Sequence, residues 1–156
     1  MTIGYSKLGS YLNKNIRDIC PNHFDDNNLN HCAHFVSHVL GIASGYTCDR
    51  MVRGSNGAKA NIRVQELFGM WCPEVGEWAL KPLRLTQGLI FVTDPRNVNV
   101  KSKTMANVPN KHVGIFVGNN VWHYSKSQKK VVYVSTAQFS NIYPGVKNGL
   151  FYGAFK

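Results

Sequence analysis

Acidic side chains are scarce in this chain: 8 Asp and Glu stand against 18 Lys and Arg, a net charge of +10 over 156 residues. Such a surface attracts polyanions, whether nucleic acid, anionic membrane or anionic wall polymer. The basic residues form no dense block, only short clusters such as Lys129-Lys130 and Lys101 with Lys103. No nucleic-acid motif accompanies them, so no nucleic-acid partner is expected. No apolar run approaches the ~20 residues that a membrane-spanning helix needs, so stable membrane insertion is not expected either. Residues 1–20 alternate polar and apolar side chains without a signal-peptide core, and ordinary secretion is not expected. A phosphate-cradling glycine loop, a Gly-x-Ser-x-Gly elbow and an obvious carboxylate pair are all missing. So are internal repeats and low-complexity tracts. The four cysteines, Cys20, Cys32, Cys48 and Cys72, form no CxxC pair, which argues against a cysteine-rich zinc site. If Cys32 is a nucleophile, one disulfide at most can form among the others. Cys20 with Cys48, Cys48 with Cys72, and no bridge at all remain open.

What is present is globular: 44% hydrophobic residues and only 17% charged, in a length that suits one domain, residues 1–156; a monomer is expected. Ile3, Leu8, Leu12, Ile16 and Ile19 recur at helical spacing, which predicts a first helix over 5–19, stopped by Pro21. Residues 22–28 read as a polar loop. A buried helix follows, starting near Asn30 or His31 with Asn30 as its cap and ending at Gly41 or Gly45. Residues 46–59 read as a loop and 60–71 as a short helix. From Leu80 the pattern turns to strands: Gly88–Thr93, then 112–117, a turn at Gly118–Asn120, a return over 121–125, and further strands over 129–135 and 150–155. Residues 96–110 form an irregular excursion. The fold class expected is α+β, with N-terminal helices packed on a curved antiparallel sheet.

Two stretches carry chemistry. Cys32 falls in the first turn of its helix, where unpaired N–H groups and the positive end of the dipole favour a thiolate. A lone cysteine in an apolar helix is ordinarily structural. His112 shifts the balance, because a histidine opening an otherwise apolar strand is placed to act as the base for a thiol. His123 follows across a tight turn, on the same face by the two-residue period, and can hold one nitrogen of His112. The spacing of His31, His34 and His38 can chelate zinc. No glutamate stands between His34 and His38 in the metalloprotease arrangement, and the face is partly core, so no metal or other cofactor is expected. Asp25 and Asp26 read as solvated loop residues.

The motif around Cys32, with Phe35-Val36 and Leu40-Gly41, resembles the nucleophile helix of the NlpC/P60 superfamily, which includes the CHAP amidases. His112-Val113-Gly114-Ile115-Phe116-Val117-Gly118-Asn119 resembles its histidine strand. Val121-Trp122-His123-Tyr124-Ser125 resembles the return strand with the third polar residue, and Gly88-Leu89-Ile90-Phe91 the strand before the histidine. The chain departs from the family where Ala33-His34 replaces the common Ser-Gly and where Leu89 replaces an acidic residue. The resemblance implies a papain-like fold and cysteine-peptidase or amidase cleavage of amide bonds in peptidoglycan stem peptides. On it, Cys32 is the nucleophile, His112 the base and acid, and His123 the orienting residue. Size and charge are similar to those of type VI secretion amidase effectors or phage-type lysins. That implies action in the periplasm or cell wall after specialised delivery, with an immunity protein as partner. Two other readings stand beside it. His34-Phe35-Val36 after the cysteine also resembles the lecithin:retinol acyltransferase relatives, which act on lipid acyl groups, although in those the histidine strand precedes the cysteine. The other is a non-catalytic wall-binding module.

Overall fold

The computed structural model describes residues 1–51, 59–145 and 147–156. Helix α1 (Tyr5–Gly9) leads to a 3-10 turn at Ile16–Asp18, then α2 (Cys32–Leu40), α3 (Cys48–Met51) and α4 (Val64–Glu66), which continues as a wider π-turn through Trp71. Strands β1 (Val75–Glu77) and β2 (Gln87–Thr93) follow, then a two-strand hairpin of β3 (Val98–Asn99) and β4 (Thr104–Met105). The chain ends with β5 (Lys111–Val117), β6 (Asn120–Ser125), β7 (Lys130–Ser135), α5 (Thr136–Ser140) and β8 (Gly149–Gly153). The result is an α+β fold built on a six-stranded sheet in the order β1-β8-β2-β5-β6-β7, with every pairing antiparallel. Among the described residues no helix is long and apolar enough to cross a membrane.

The sheet buries both faces, and the two-residue period of β5 divides its side chains between them. Val113 and Ile115 face α2 and pack with Phe35, Val36 and Val39, together with Trp122 and Tyr124 of β6. Phe116 points the other way, into a smaller core with Ile90, Val92, Val121 and Phe139 of α5. Each such fully buried side chain stabilises the fold by about 2 kcal/mol relative to exposure. Helix α2 ends where Gly41 takes a left-handed φ of 67°. There the Gly41 N–H bonds the His38 carbonyl and the Ile42 N–H the Ser37 carbonyl, closing a Schellman motif.

Several expectations need correction. The helix expected over 5–19 stops at Gly9. Asn13 sits at φ 65°, its N–H bonds the Val131 carbonyl, and the Val131 N–H returns to Lys14. Pairing with β7 thus outcompetes a helix whose inner face would have held Leu12, which is instead exposed. Asn15 and Asp18 then form a capping box for the 3-10 turn. The loop expected over 46–59 contains α3, and its residues 52–58 lie outside the described part. The helix expected from Ala60 begins at Val64, because Asn61 pairs with Thr47 as an isolated bridge. β1 and α5 are additional to the elements expected from the sequence; α5 carries a sequence signal, the Ser135-x-x-Gln138 capping box. Neighbours in the sheet are not all neighbours in sequence: β8 returns to the far side of β2 and joins it to β1.

Gly114 shows how tight the β5–β6 contact is. A Cβ built there would lie 2.6 Å from Val121 Cγ1, 3.0 Å from the Trp122 carbonyl oxygen and 3.2 Å from His123 Cβ. Gly114→Ala is therefore expected to destabilise the protein by about 1–3 kcal/mol, read as a lower urea midpoint; an unchanged midpoint would refute the contact.

Candidate functional site

Cys32, His112 and His123 converge on one corner, where the N-terminus of α2 meets the start of β5. The residue joining them is Asn30. Its Oδ1 accepts the Cys32 backbone N–H at 3.1 Å, an Asx-type contact that satisfies one of the orphan donors of the helix. With that oxygen engaged, its Nδ2 is the atom facing His112 Nδ1, at 3.1 Å. An amide nitrogen only donates, so His112 Nδ1 holds a lone pair and the ring proton sits on Nε2. His112 Nε2 then donates to His123 Nδ1 at 2.9 Å. The hydrogen bonds thereby select one tautomer for each ring. Both imidazoles lean on Phe139, with ring centroids 5.6 and 5.2 Å away.

The two sides of the corner come from opposite faces of the sheet. Cys32 belongs to the core beneath α2, whereas the histidines contact Phe139 on the other face. Among the described residues no hydrogen bond joins the Cys32 thiol to His112; the Asn30 carboxamide stands at that junction instead. Burial pushes the Cys32 thiol up to about 11, against the opposing pull of the Val113 backbone and the Lys111 ammonium. Burial likewise holds His112 well below its usual range, helped by His123, and brings His123 down to about 4. At neutral pH the site therefore rests as a thiol and two neutral rings.

Two clefts open on the corner and share Asn30 as a wall. One, of about 250 Å3, is lined by Cys32, Leu29, Arg63, Lys111 and neighbours. The other, of about 710 Å3, is lined by His112, Ser125, Lys126, Lys129 and neighbours. Among the described residues neither lining includes an Asp or Glu. Each brings two cations near the corner, which favours ligands carrying carboxylates or other anions. Asn30→Ala is expected to cost about 1 kcal/mol through the lost helix-start contact, and to raise the rate of Cys32 alkylation by iodoacetamide severalfold. Slower alkylation in the variant would show that Asn30 does not cover the thiol.

The remaining sequence candidates fall elsewhere. Asp25 forms an exposed ion pair with Arg17 at 3.8 Å, and Asp26 offers its backbone carbonyl to His31. All four cysteines lie in the described part, and none is in a disulfide. His34 and His38, read from sequence as helix neighbours, are joined by two cysteines from other elements. The ligand atoms of Cys20, His34, His38 and Cys48 all lie within 4.8 Å of one another. The available signal was the His-x-x-x-His spacing, but nothing in the spacing of the cysteines pointed to it. Asn30 is expected as the helix cap, but the cap position belongs to His31, which makes no side-chain capping bond; Asn30 stands one residue earlier, and its bridging contact to His112 depends on the fold.

Comparison of the chain with family models, with curated proteins and with solved structures returns no match.

Proposed function

We propose that this protein is a cysteine hydrolase that cleaves amide bonds in peptidoglycan stem peptides. Cys32 is its nucleophile, His112 its base and acid, and His123 the group that orients His112. The observation that carries this reading is the Asn30 carboxamide. Its oxygen rests on the Cys32 N–H and its nitrogen on the His112 lone pair. A substrate amide needs the same two partners: a donor for its developing oxyanion and a group that protonates its leaving nitrogen. Substrate would displace Asn30 and take both.

In the proposed reaction the thiol proton passes to His112 Nδ1 while sulfur attacks the carbonyl carbon. The tetrahedral oxyanion is held by the Cys32 N–H. Collapse breaks the C–N bond, the amine departs with the proton from His112, and a thioester remains. Water, giving a proton to the same nitrogen, attacks the thioester; the acid is released and the thiol regains its proton. His123 accepts from Nε2 throughout and keeps Nδ1 directed at the reacting atoms. The cationic clefts suit the carboxylates of stem peptides. The papain-like fold, the secreted antibacterial or phage-type setting, and an inhibitor partner belong to the same reading through the resemblance of the motifs.

Incubation of purified sacculi with the protein, followed by mass spectrometry of the soluble fragments, is expected to reveal stem peptides that have gained water at one amide. Fragments identical to those of untreated sacculi would sink the reading.

A further inference from the structure

We infer that Cys20, His34, His38 and Cys48 form a closed tetrahedral site for a structural zinc ion. Three separate segments supply the ligands. Cys20 follows the 3-10 turn at Ile16–Asp18, His34 and His38 lie one turn apart on α2, and Cys48 opens α3. Their ligand atoms all lie within 4.8 Å of one another. Around zinc, with Zn–S about 2.3 Å and Zn–N about 2.0–2.1 Å, tetrahedral ligand atoms stand roughly 3.3–3.8 Å apart. Closure therefore requires side-chain shifts of about 1 Å or less per ligand. Two thiolates and two imidazoles are the donor set of a saturated, non-catalytic zinc site.

The polar atoms around the cluster point the same way. His34 Nε2 and His38 Nε2 are buried and have no hydrogen-bond partner among the described residues, and the His34 residue is only 1% exposed. A buried lone pair without a donor is costly unless something else engages it. The tautomer of His34 can be read from its neighbours. The Asp26 carbonyl only accepts, so His31 Nε2, 2.8 Å away, carries the proton. His31 Nδ1 is then the acceptor for His34 Nδ1–H at 3.3 Å. That leaves His34 Nε2 as the bare nitrogen, the one with which His34 can join the cluster. An outer hydrogen bond that fixes a ligand histidine in this way is the usual support of a metal site. On the sulfur side, Asn22 Nδ2 donates to Cys48 Sγ at 2.9 Å, an outer contact that fixes the position of a ligand atom. Phe24, Ile62 and Ala60 supply an apolar wall.

Such an ion would pin the segment before α2 and the loop after it to the helix that carries Cys32. The site does not depend on the hydrolase reading, since none of its ligands belongs to the Cys32–His112–His123 corner.

The test is metal analysis of the untagged full chain by plasma mass spectrometry, followed by exchange of the bound ion for cobalt(II). One zinc per chain is expected. The cobalt form should display the intense visible bands of a tetrahedral ion and ultraviolet sulfur-to-cobalt charge transfer. His38→Ala should lose stoichiometric metal, whereas Cys72→Ser, whose thiol lies outside the cluster, should retain it. Where His38→Ala does not fold, the wild-type cobalt spectrum decides by itself. Absence of both zinc and cobalt from the folded wild type, an octahedral cobalt spectrum, or an intact mass two hydrogens lighter from a Cys20–Cys48 disulfide would each overturn the inference.

Discussion

Cys32→Ala is expected to lower amide cleavage by at least about 10³-fold while leaving the fold in place. Removing a covalent nucleophile leaves only binding and oxyanion stabilisation, which are a small part of such a rate enhancement. Cys32 is only 2% exposed, and the substitution removes a single sulfur atom of packed volume, so a small change in the urea midpoint is expected. The measurement is the rate of stem-peptide release from sacculi, with circular dichroism to confirm folding. Cleavage at the wild-type rate by a folded variant would remove Cys32 from the mechanism. The companion His112→Ala variant should be nearly as inactive, because the two groups act as a unit. His123→Asn should retain far more activity than His123→Ala, since its side-chain oxygen can still accept from His112 Nε2.

Acid is expected to destabilise the protein through the buried histidine pair. His123 titrates near 4 in the fold against an ordinary value of 6.5, chiefly because burial disfavours its charged form, and His112 is displaced in the same direction. An unfolded chain therefore takes up protons before the folded one as pH falls through about 6.5. Stability is lost across that window, down to about pH 4 for His123. Full passage through the window costs on the order of 3 kcal/mol for His123, and about 2 kcal/mol is already lost by pH 5. His123→Asn removes the titrating ring but keeps an acceptor for His112, so its urea midpoint should fall less between pH 7 and pH 5 than that of the wild type. Equal decreases in both proteins would show that His123 is not buried in its neutral form.

The positions of the helix start, the two long central strands and the His112–His123 contact were legible before the fold was known, because each rests on local rules. An apolar run bounded by Gly88 and Asp94 becomes a buried strand. The two-residue period and a tight turn at Gly118 return His123 to the face of His112. Gly41 ends α2 because a left-handed residue closes its last carbonyls. The first helix failed for a non-local reason: its apolar spacing was correct, but Asn13 and Lys14 bond to β7, more than a hundred residues away. The cluster of Cys20, His34, His38 and Cys48 is illegible in the sequence for a similar reason. His34 and His38 are spaced by a helix, whereas Cys20 and Cys48 reach them only through the path of a 3-10 turn and a loop.

The amino-acid sequence by itself determined the α+β class, the course of the principal helix and strands, and which thiol and imidazoles are the candidates for chemistry. These follow from periodicity, capping and turn residues acting over a few positions. Tertiary structure decided how those side chains meet. It set the Asn30 carboxamide between the Cys32 N–H and the His112 lone pair, brought thiol and imidazole to one corner from opposite faces of the sheet, and drew Cys20 and Cys48 onto the histidines of α2. Those outcomes depend on which segments share a core, a choice made by burial across the whole chain.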